Sequence, residues 1–187
     1  FEIALKRGWA SLTKKTLTVC QMIERRTWQS QSPLRQFGTI PDVLIRKLEK
    51  SGDISWDRYY DLKSADLGEM VKIPKMGKTL YKYVHMFPKC ELNAHVLPVT
   101  RSLLKVNLIV TPDFQFDHTI HDGAVNFHVL IEDGNGEHLL HHEQLTIFTK
   151  YAAQEHTLNF SVPIQDPLPP QYFIRLVSDR WLHAETV

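Results

Sequence analysis

The spacing of hydrophobic residues changes once along this chain, near residue 90. Before that point apolar side chains recur every three or four positions, which is the period of an α-helix. The pattern predicts a short helical stretch at the start and then four helices, at about residues 11–28, 41–50, 64–71 and 75–86. Pro41 and the Ser51-Gly52 pair are predicted to mark the two ends of the second of these four helices.

The longest of the predicted helices can be capped at its first turn by the hydroxyl of Ser11 or Thr13. Its basic pairs, Lys14-Lys15 and Arg25-Arg26, lie away from one face of the helix. That face carries Thr16, Val19, Cys20, Ile23 and Thr27.

After Cys90 apolar residues alternate with polar ones, which is typical of strands with one buried face. Runs of this kind occur near residues 92–96, 104–110, 125–131, 145–148, 158–162 and 172–176. Turn sequences such as Asp122-Gly123 and Asp133-Gly134-Asn135-Gly136 separate them. Six or seven strands over about 97 residues predict an antiparallel sandwich.

The predicted fold class is therefore α+β in a multidomain chain. A small all-α helical domain is followed by an all-β antiparallel sandwich. Because the Cys…Trp…Cys signature of antibody domains is absent from the sequence, the sandwich would be an Ig-like or fibronectin-like variant.

The two halves carry opposite charge, although the whole chain of 187 residues has a formal net charge of only +1. Residues 1–90 contain 17 Lys and Arg against 9 Asp and Glu, a net charge of +8. Residues 91–187 contain 5 against 12, a net charge of −7. Such an asymmetry indicates a polyanion-binding surface on the basic half.

The strongest candidate for that surface is the string Ile73-Pro74-Lys75-Met76-Gly77-Lys78, between two predicted helices. In helix-hairpin-helix units a glycine turn exposes backbone N–H groups that grip a phosphate without reading bases. Gly77 fits one glycine position, and Lys75 and Lys78 add charge, but Pro74-Lys75 occupy the place of the first glycine. A turn that needs glycine for packing, with lysines facing water, is the structural alternative.

The pairs Lys14-Lys15 and Arg25-Arg26 are further candidates for phosphate contact. A solvated helix face is the alternative for each pair.

Histidines and cysteines give weaker signals. His118 and His121, and the group at 138, 141 and 142, lie in the β half, where positions i and i+3 of a strand point to opposite faces. We therefore expect exposed strand and loop histidines and no metal site. Cys20 and Cys90 are predicted to be reduced, partly buried thiols.

Motifs for catalysis are absent from the sequence: it has no phosphate-binding loop, dinucleotide fingerprint or nucleophile elbow. No signal peptide and no apolar run of membrane length occurs. The chain is predicted to be non-catalytic, to hold no cofactor or metal, and to have no membrane partner.

Several strings together resemble the C-terminal half of the Sec sixty-three homology unit in the Ski-two-like superfamily of DExH-box RNA helicases. The hairpin and the string Lys82-Tyr83-Val84-His85-Met86-Phe87-Pro88-Lys89 are most similar to the N-terminal, active cassette of the spliceosomal tandem-cassette members. The other strings are Ser32-Pro33-Leu34-Arg35-Gln36-Phe37, Pro98-Val99-Thr100-Arg101-Ser102, Thr111-Pro112-Asp113-Phe114 and the long string at residues 169–181.

This resemblance implies three pieces: the end of a ratchet helical bundle (1–30), a helix-loop-helix domain (31–89) and an Ig-like domain without its last strand (90–187). It also implies an accessory role in pre-mRNA splicing in the nucleus, with Lys75, Gly77, Lys78, Arg25 and Arg26 on the RNA. ATP and magnesium would bind motor domains outside this chain. Implied partners are a small nuclear RNA strand, the motor domains and second cassette of the same polypeptide, and a spliceosomal scaffold protein with a Jab/MPN-type domain. A protein-interaction module without RNA contact is the alternative.

Overall fold

The computed structural model describes residues 1–50 and 55–187 of the chain. The predicted end of a helix at Ser51-Gly52 lies outside these residues. The α-helices are α1 (Glu2–Lys6), α2 (Ala10–Arg25), α3 (Asp42–Lys50), α4 (Ser64–Met70), α5 (Gly77–Met86) and α6 (His118–His121). Short 3-10 turns occupy Pro33–Phe37, Trp56–Tyr60, Pro74–Met76 and Thr149–Tyr151.

The β half contains two antiparallel sheets. Their strands are β1 (Cys90–Thr100), β2 (Leu103–Pro112), β3 (Ala124–Glu132), β4 (Leu139–Phe148), β5 (His156–Pro163), β6 (Phe173–Ser178) and β7 (Glu185–Thr186). One sheet has the order β1-β2-β5 and the other has the order β4-β3-β6-β7. The change from helical to alternating periodicity near Cys90 is therefore confirmed.

Strand β3 is buried on both faces. Phe127, Val129 and Ile131 belong to one large apolar cluster with buried side chains of β2 and β5 from the other sheet. The intervening Leu130 packs with Leu17 of α2 and Val177 of β6. Helix α2 therefore covers the outer face of the second sheet.

Helix α2 differs from its prediction in both ends and in its buried face. The N–H of Ala10 donates to the carbonyl of Glu137 at 2.9 Å, so the helix starts against the β3–β4 turn. Arg26 is left-handed, with φ of 50°, and ends the helix before the expected residue 28. The buried side chains are Ala10, Thr13, Leu17 and Gln21, whereas the predicted apolar face leaves Val19 and Ile23 48% and 73% exposed.

Strand β1 also departs from the expected half-burial. Cys90 is buried, but the residues from Asn93 onward are exposed. The strand lies at the edge of its sheet, and its alternating apolar residues Ala94 and Val96 remain in solvent.

The helical part and the sheets share one apolar core around Trp181. The Trp181 ring lies 5.2 Å from Phe37, 5.6 Å from Phe87 and 5.7 Å from His121, measured between ring centroids. Beside it the amide of Gln36 both donates to and accepts from the backbone of Leu182, at 2.9 and 2.8 Å. Two of the strings that carry the resemblance, at residues 32–37 and 169–181, thus meet in space.

Candidate nucleic-acid interface

The basic hairpin joins α4 to α5 through the turn Pro74–Met76. Gly77 lies so close to α4 that a Cβ atom there would overlap the carbonyl oxygen of Ser64. A Cβ on Gly68 would lie 3.0 Å from the backbone of Pro74. Both glycines therefore serve close packing of the two helices, which is the role that the structural alternative gives to Gly77.

Few backbone donors remain at the start of α5. Pro74 has no N–H, and the N–H groups of Met76 and Gly77 bond the carbonyls of Ile73 and Pro74. The hairpin can thus contact a phosphate mainly through its side chains.

The lysine side chains of the hairpin and α5 are exposed. Lys78 and Lys82 are four residues apart on one face of α5, and Lys75 precedes them in the turn Pro74–Met76; these three side chains form the lysine row. Such a row offers positive charge in an orientation fixed by the α4–α5 packing.

Arg25 has a different environment from these lysines. Its guanidinium lies 3.9 Å from the centre of the Trp181 ring, and its Nε donates to the carbonyl of Arg180 at 3.2 Å. Burial, followed by the like charge of Arg180, lowers the pKa of Arg25 from its ordinary value. Arg25 therefore ties the end of α2 to the β6–β7 loop.

Arg26 is exposed and lines a groove of about 490 Å³ with Arg35 and Thr39. Arg35 is held by Glu49 at 2.9 Å and Asp42 at 2.7 Å, so its charge is compensated. Thr39 donates to the hydroxyl of Tyr83 on α5 at 2.8 Å, which links this groove to the helix that carries the lysines. The five predicted residues thus fall into two groups, with Lys75, Gly77 and Lys78 at the hairpin and Arg25 and Arg26 at the end of α2.

The sequence matches a known protein family over its whole length. The Sec63 Brl domain matches it over residues 1–187. The chain belongs to this family. The resemblance seen in the sequence strings is confirmed.

Relatives of this Sec63 Brl domain are helicases and splicing factors. It is 54% identical over 186 residues to the U5 small nuclear ribonucleoprotein 200 kDa helicase of Homo sapiens. It is 51% identical over 187 residues to the DExH-box ATP-dependent RNA helicase DExH12 of Arabidopsis thaliana. It is 47% identical over 186 residues to the pre-mRNA-splicing factor brr2 of Schizosaccharomyces pombe.

Each alignment covers 100% of this chain but only 8% or 9% of the relative's length. The domain therefore corresponds to a small part of these large proteins.

The histidines of the domain are more buried than the sequence predicted. His121 and His128 are buried, which corrects the expectation of an exposed His121. His121 and His118 lie in the short helix α6, and the Nε2 of His121 bonds the carbonyl of Met86 at 2.9 Å. No group of three or more potential metal ligands occurs among residues 1–50 and 55–187.

The two cysteines lie in unlike surroundings. Cys90 is buried, and burial, with a smaller effect of Asp113, raises the pKa of its thiol to about 12. Cys20 is exposed, which corrects the expectation of two partly buried thiols, because α2 buries its opposite face.

Among residues 1–50 and 55–187, none of the helices has the length and hydrophobicity that a membrane span requires.

Two features of this region were not predicted from the sequence. Trp181 lies where α2, the helical part and the sheets meet. The sequence around Trp181 contains no pattern that predicts these contacts. Tyr81 and His85 stack on the exposed side of α5, with ring centroids 4.0 Å apart. In the sequence, Tyr81 follows Lys78 by three residues and His85 follows Lys82 by three. This spacing could have predicted that the four side chains share one face of the helix.

Proposed function

We propose that this chain is a non-catalytic accessory region of an ATP-dependent spliceosomal RNA helicase. Its helical half guides a single RNA strand by phosphate contacts. Its β half is an Ig-like sandwich that acts as a scaffold and as a protein-docking surface. The names of the relatives, which include an ATP-dependent RNA helicase and a pre-mRNA-splicing factor, support this assignment.

The observation that carries the RNA contact is the exposed lysine row at the hairpin in the half with net charge +8. Lysine side chains that are free of acidic partners can neutralise phosphates and thereby release counterions from the strand. Arg26 extends the positive surface at the end of α2, and Arg25 beside it adds charge close to Trp181. Gly77 contributes indirectly, because it allows α5, which carries Lys78 and Lys82, to pack closely against α4.

The chain comprises three parts of the larger helicase. Residues 1–30, 31–89 and 90–187 correspond to the end of a ratchet bundle, a helix-loop-helix domain and the Ig-like domain. ATP and magnesium bind the motor domains, which lie outside this chain. The partners are a small nuclear RNA strand in the nucleus, the motor domains and second cassette, and a spliceosomal scaffold protein with a Jab/MPN-type domain.

The test is the double substitution Lys75→Glu/Lys78→Glu in the intact protein that carries this chain. Because the lysines contact phosphates and no base edges, binding should weaken by a similar factor for 12-nucleotide RNAs of different sequence. Fluorescence anisotropy with end-labelled strands measures this factor.

The matched control is Lys105→Glu/Lys150→Glu, which reverses two exposed charges on the β half. Because the control changes the net charge by the same amount as the hairpin variant, it measures the general electrostatic effect. It should leave RNA affinity within about twofold of the wild type. Equal loss in both variants, or no loss in the hairpin variant, would contradict the proposed contact.

The second candidate is a protein-interaction module without RNA contact. Exposed apolar side chains beside Arg26 favour it, since Val19, Ile23 and Trp28 are 48%, 73% and 69% exposed. In that case the hairpin substitutions leave RNA affinity unchanged and weaken binding to a neighbouring helicase domain or splicing protein.

A further inference from the structure

The outer face of α5 combines cations with aromatic rings. Lys78, Tyr81, Lys82 and His85 stand at positions i, i+3, i+4 and i+7, so they share one side of the helix. Lys78, Tyr81 and Lys82 are exposed, and His85 is half-buried. Buried Leu80 and Val84 lie on the other side of α5 and anchor it in the core.

The Tyr81 ring is held in a fixed orientation. It stacks on His85 at a centroid distance of 4.0 Å with 29° between the ring planes. The Nδ1 of His85 lies 3.0 Å from the Tyr81 carbonyl, and Tyr60 contacts the His85 ring edge-on at 6.1 Å. The His85 carbonyl in turn accepts from the N–H of Gln115 at 2.6 Å.

We infer that Tyr81, supported by His85, is a stacking platform for an unpaired RNA base, with Lys78 and Lys82 on the adjoining phosphates. This inference rests on the proposed RNA function and adds a base contact to the phosphate contacts. Aromatic side chains stack on any base, and flanking cations follow the backbone, which is the usual arrangement of sequence-tolerant single-strand binders.

The geometry favours a single strand over a duplex. Lys78 and Lys82 are about 6 Å apart along the helix axis and flank the ring, so phosphate contacts and one stacked base fit the same short stretch. In a duplex the bases are paired and stacked, and a ring at the protein surface cannot reach a base face without unstacking it. Asp117 lies within electrostatic reach of Lys82, and its carboxylate already accepts a hydrogen bond from the Thr119 hydroxyl at 2.6 Å.

The experiment compares Tyr81→Ala with Tyr81→Phe in the intact protein that carries this chain. The probes are a 12-nucleotide oligoadenylate, a 12-nucleotide oligouridylate and a 12-base-pair RNA duplex. Loss of one stacked base should weaken binding of the adenylate strand by roughly 5- to 100-fold, with a smaller loss for uridylate, whose base stacks less well. Tyr81→Phe keeps the ring and should stay within about twofold of the wild type.

A spectroscopic readout separates stacking from a general structural effect. A 2-aminopurine base placed in the single strand should change its fluorescence on binding to the wild type and to Tyr81→Phe. At saturating protein it should change less with Tyr81→Ala. Thermal melting of each variant checks that the fold is kept, as expected for a side chain that is 37% exposed.

The outcomes also separate this inference from the proposed function. If Lys75→Glu/Lys78→Glu weakens RNA binding and Tyr81→Ala does not, the platform is refuted and the phosphate contact stands. Equal losses on single strand and duplex, or equal behaviour of Tyr81→Phe and Tyr81→Ala, also refute the platform. If neither the lysine pair nor Tyr81 affects binding, both the inference and the proposed function fail.

Discussion

Arg25 and Arg26 are neighbours in the sequence but have different surroundings. The Arg25 guanidinium lies on the Trp181 ring and bonds the Arg180 carbonyl, whereas Arg26 ends α2 in a left-handed conformation with its side chain exposed. A dipeptide of two arginines gives no sign of this division, because Trp181 lies far away along the chain. The contribution of each arginine to stability and to RNA binding should therefore differ.

Single substitutions can separate the two arginines. Arg25→Gln removes the cation–π contact and should lower the free energy of unfolding by about 1 kcal/mol. Arg26→Gln should change it by less than about 0.5 kcal/mol, as for most surface positions, while weakening RNA binding. Urea unfolding and anisotropy on the same samples measure both effects, and a larger stability loss in Arg26→Gln would contradict this assignment.

His121 links stability to pH. Its Nδ1 lies 3.0 Å from both the backbone nitrogen and the carbonyl oxygen of Asp117, its Nε2 bonds the Met86 carbonyl, and the neighbouring charges are Asp117 and Arg25. Burial lowers its pKa below the ordinary 6.5, more than its hydrogen bonds to Met86 and Asp117 raise it. The folded state therefore favours the neutral ring. The stabilisation that neutral His121 contributes should be fully present above pH 6.5 and should be lost as the pH falls from 6.5 towards the lower pKa of the folded state.

The corresponding measurement is the free energy of unfolding between pH 7.5 and 5. His121→Gln should show a weaker pH dependence than the wild type, because one titrating group is lost. Some dependence remains, since burial and the nearby His128 and His141 also lower the pKa of His142. An unchanged pH dependence in the variant would show that His121 contributes nothing to it.

The contact between helices α4 and α5 determines the conformation of the hairpin that joins them. Gly77 permits this contact, because a side chain there would overlap the Ser64 carbonyl. The same contact fixes the direction in which Lys75 and Lys78 project. The glycine thus affects function through the position of the lysines.

Gly77→Ala should destabilise the helical part by about 1–3 kcal/mol, because the added methyl group forces α5 away from α4. Thr79→Ala is the control on the same helix: its side chain is exposed, and alanine favours a helix. Thermal and urea unfolding compare the two variants. A Gly77→Ala protein as stable as the control would mean that the helices can separate at little cost.

At the scale of the whole molecule, the two oppositely charged halves are joined by specific contacts and one shared core. Lys14 of α2 bonds Glu132 at 2.8 Å, and the Nε of Arg175 bonds the same buried carboxylate at 3.1 Å. Trp181 and the Gln36–Leu182 pair add a second junction. The basic surface therefore has a fixed place relative to the sheets.

Most elements follow from periodicity, because the 3.6-residue and two-residue patterns record which side of each element is buried. The sequence could not show which face of α2 is covered, since Val19 and Ile23 form as plausible an apolar face as Ala10 and Leu17. That choice depends on Leu130 and Val177, which lie more than a hundred residues away. The exposed edge of β1 and the contacts of Trp181 depend on tertiary packing in the same way.

The salt dependence of RNA binding tests whether the hairpin lysines contact RNA phosphates. The logarithm of the association constant for a 12-nucleotide RNA is measured against the logarithm of the salt concentration. Each lost phosphate contact reduces the slope by about 0.7 for a single strand, so Lys75→Glu/Lys78→Glu should flatten it by about 1.4. The Lys105→Glu/Lys150→Glu control should keep the wild-type slope. An unchanged slope in the hairpin variant would show that Lys75 and Lys78 do not contact RNA phosphates.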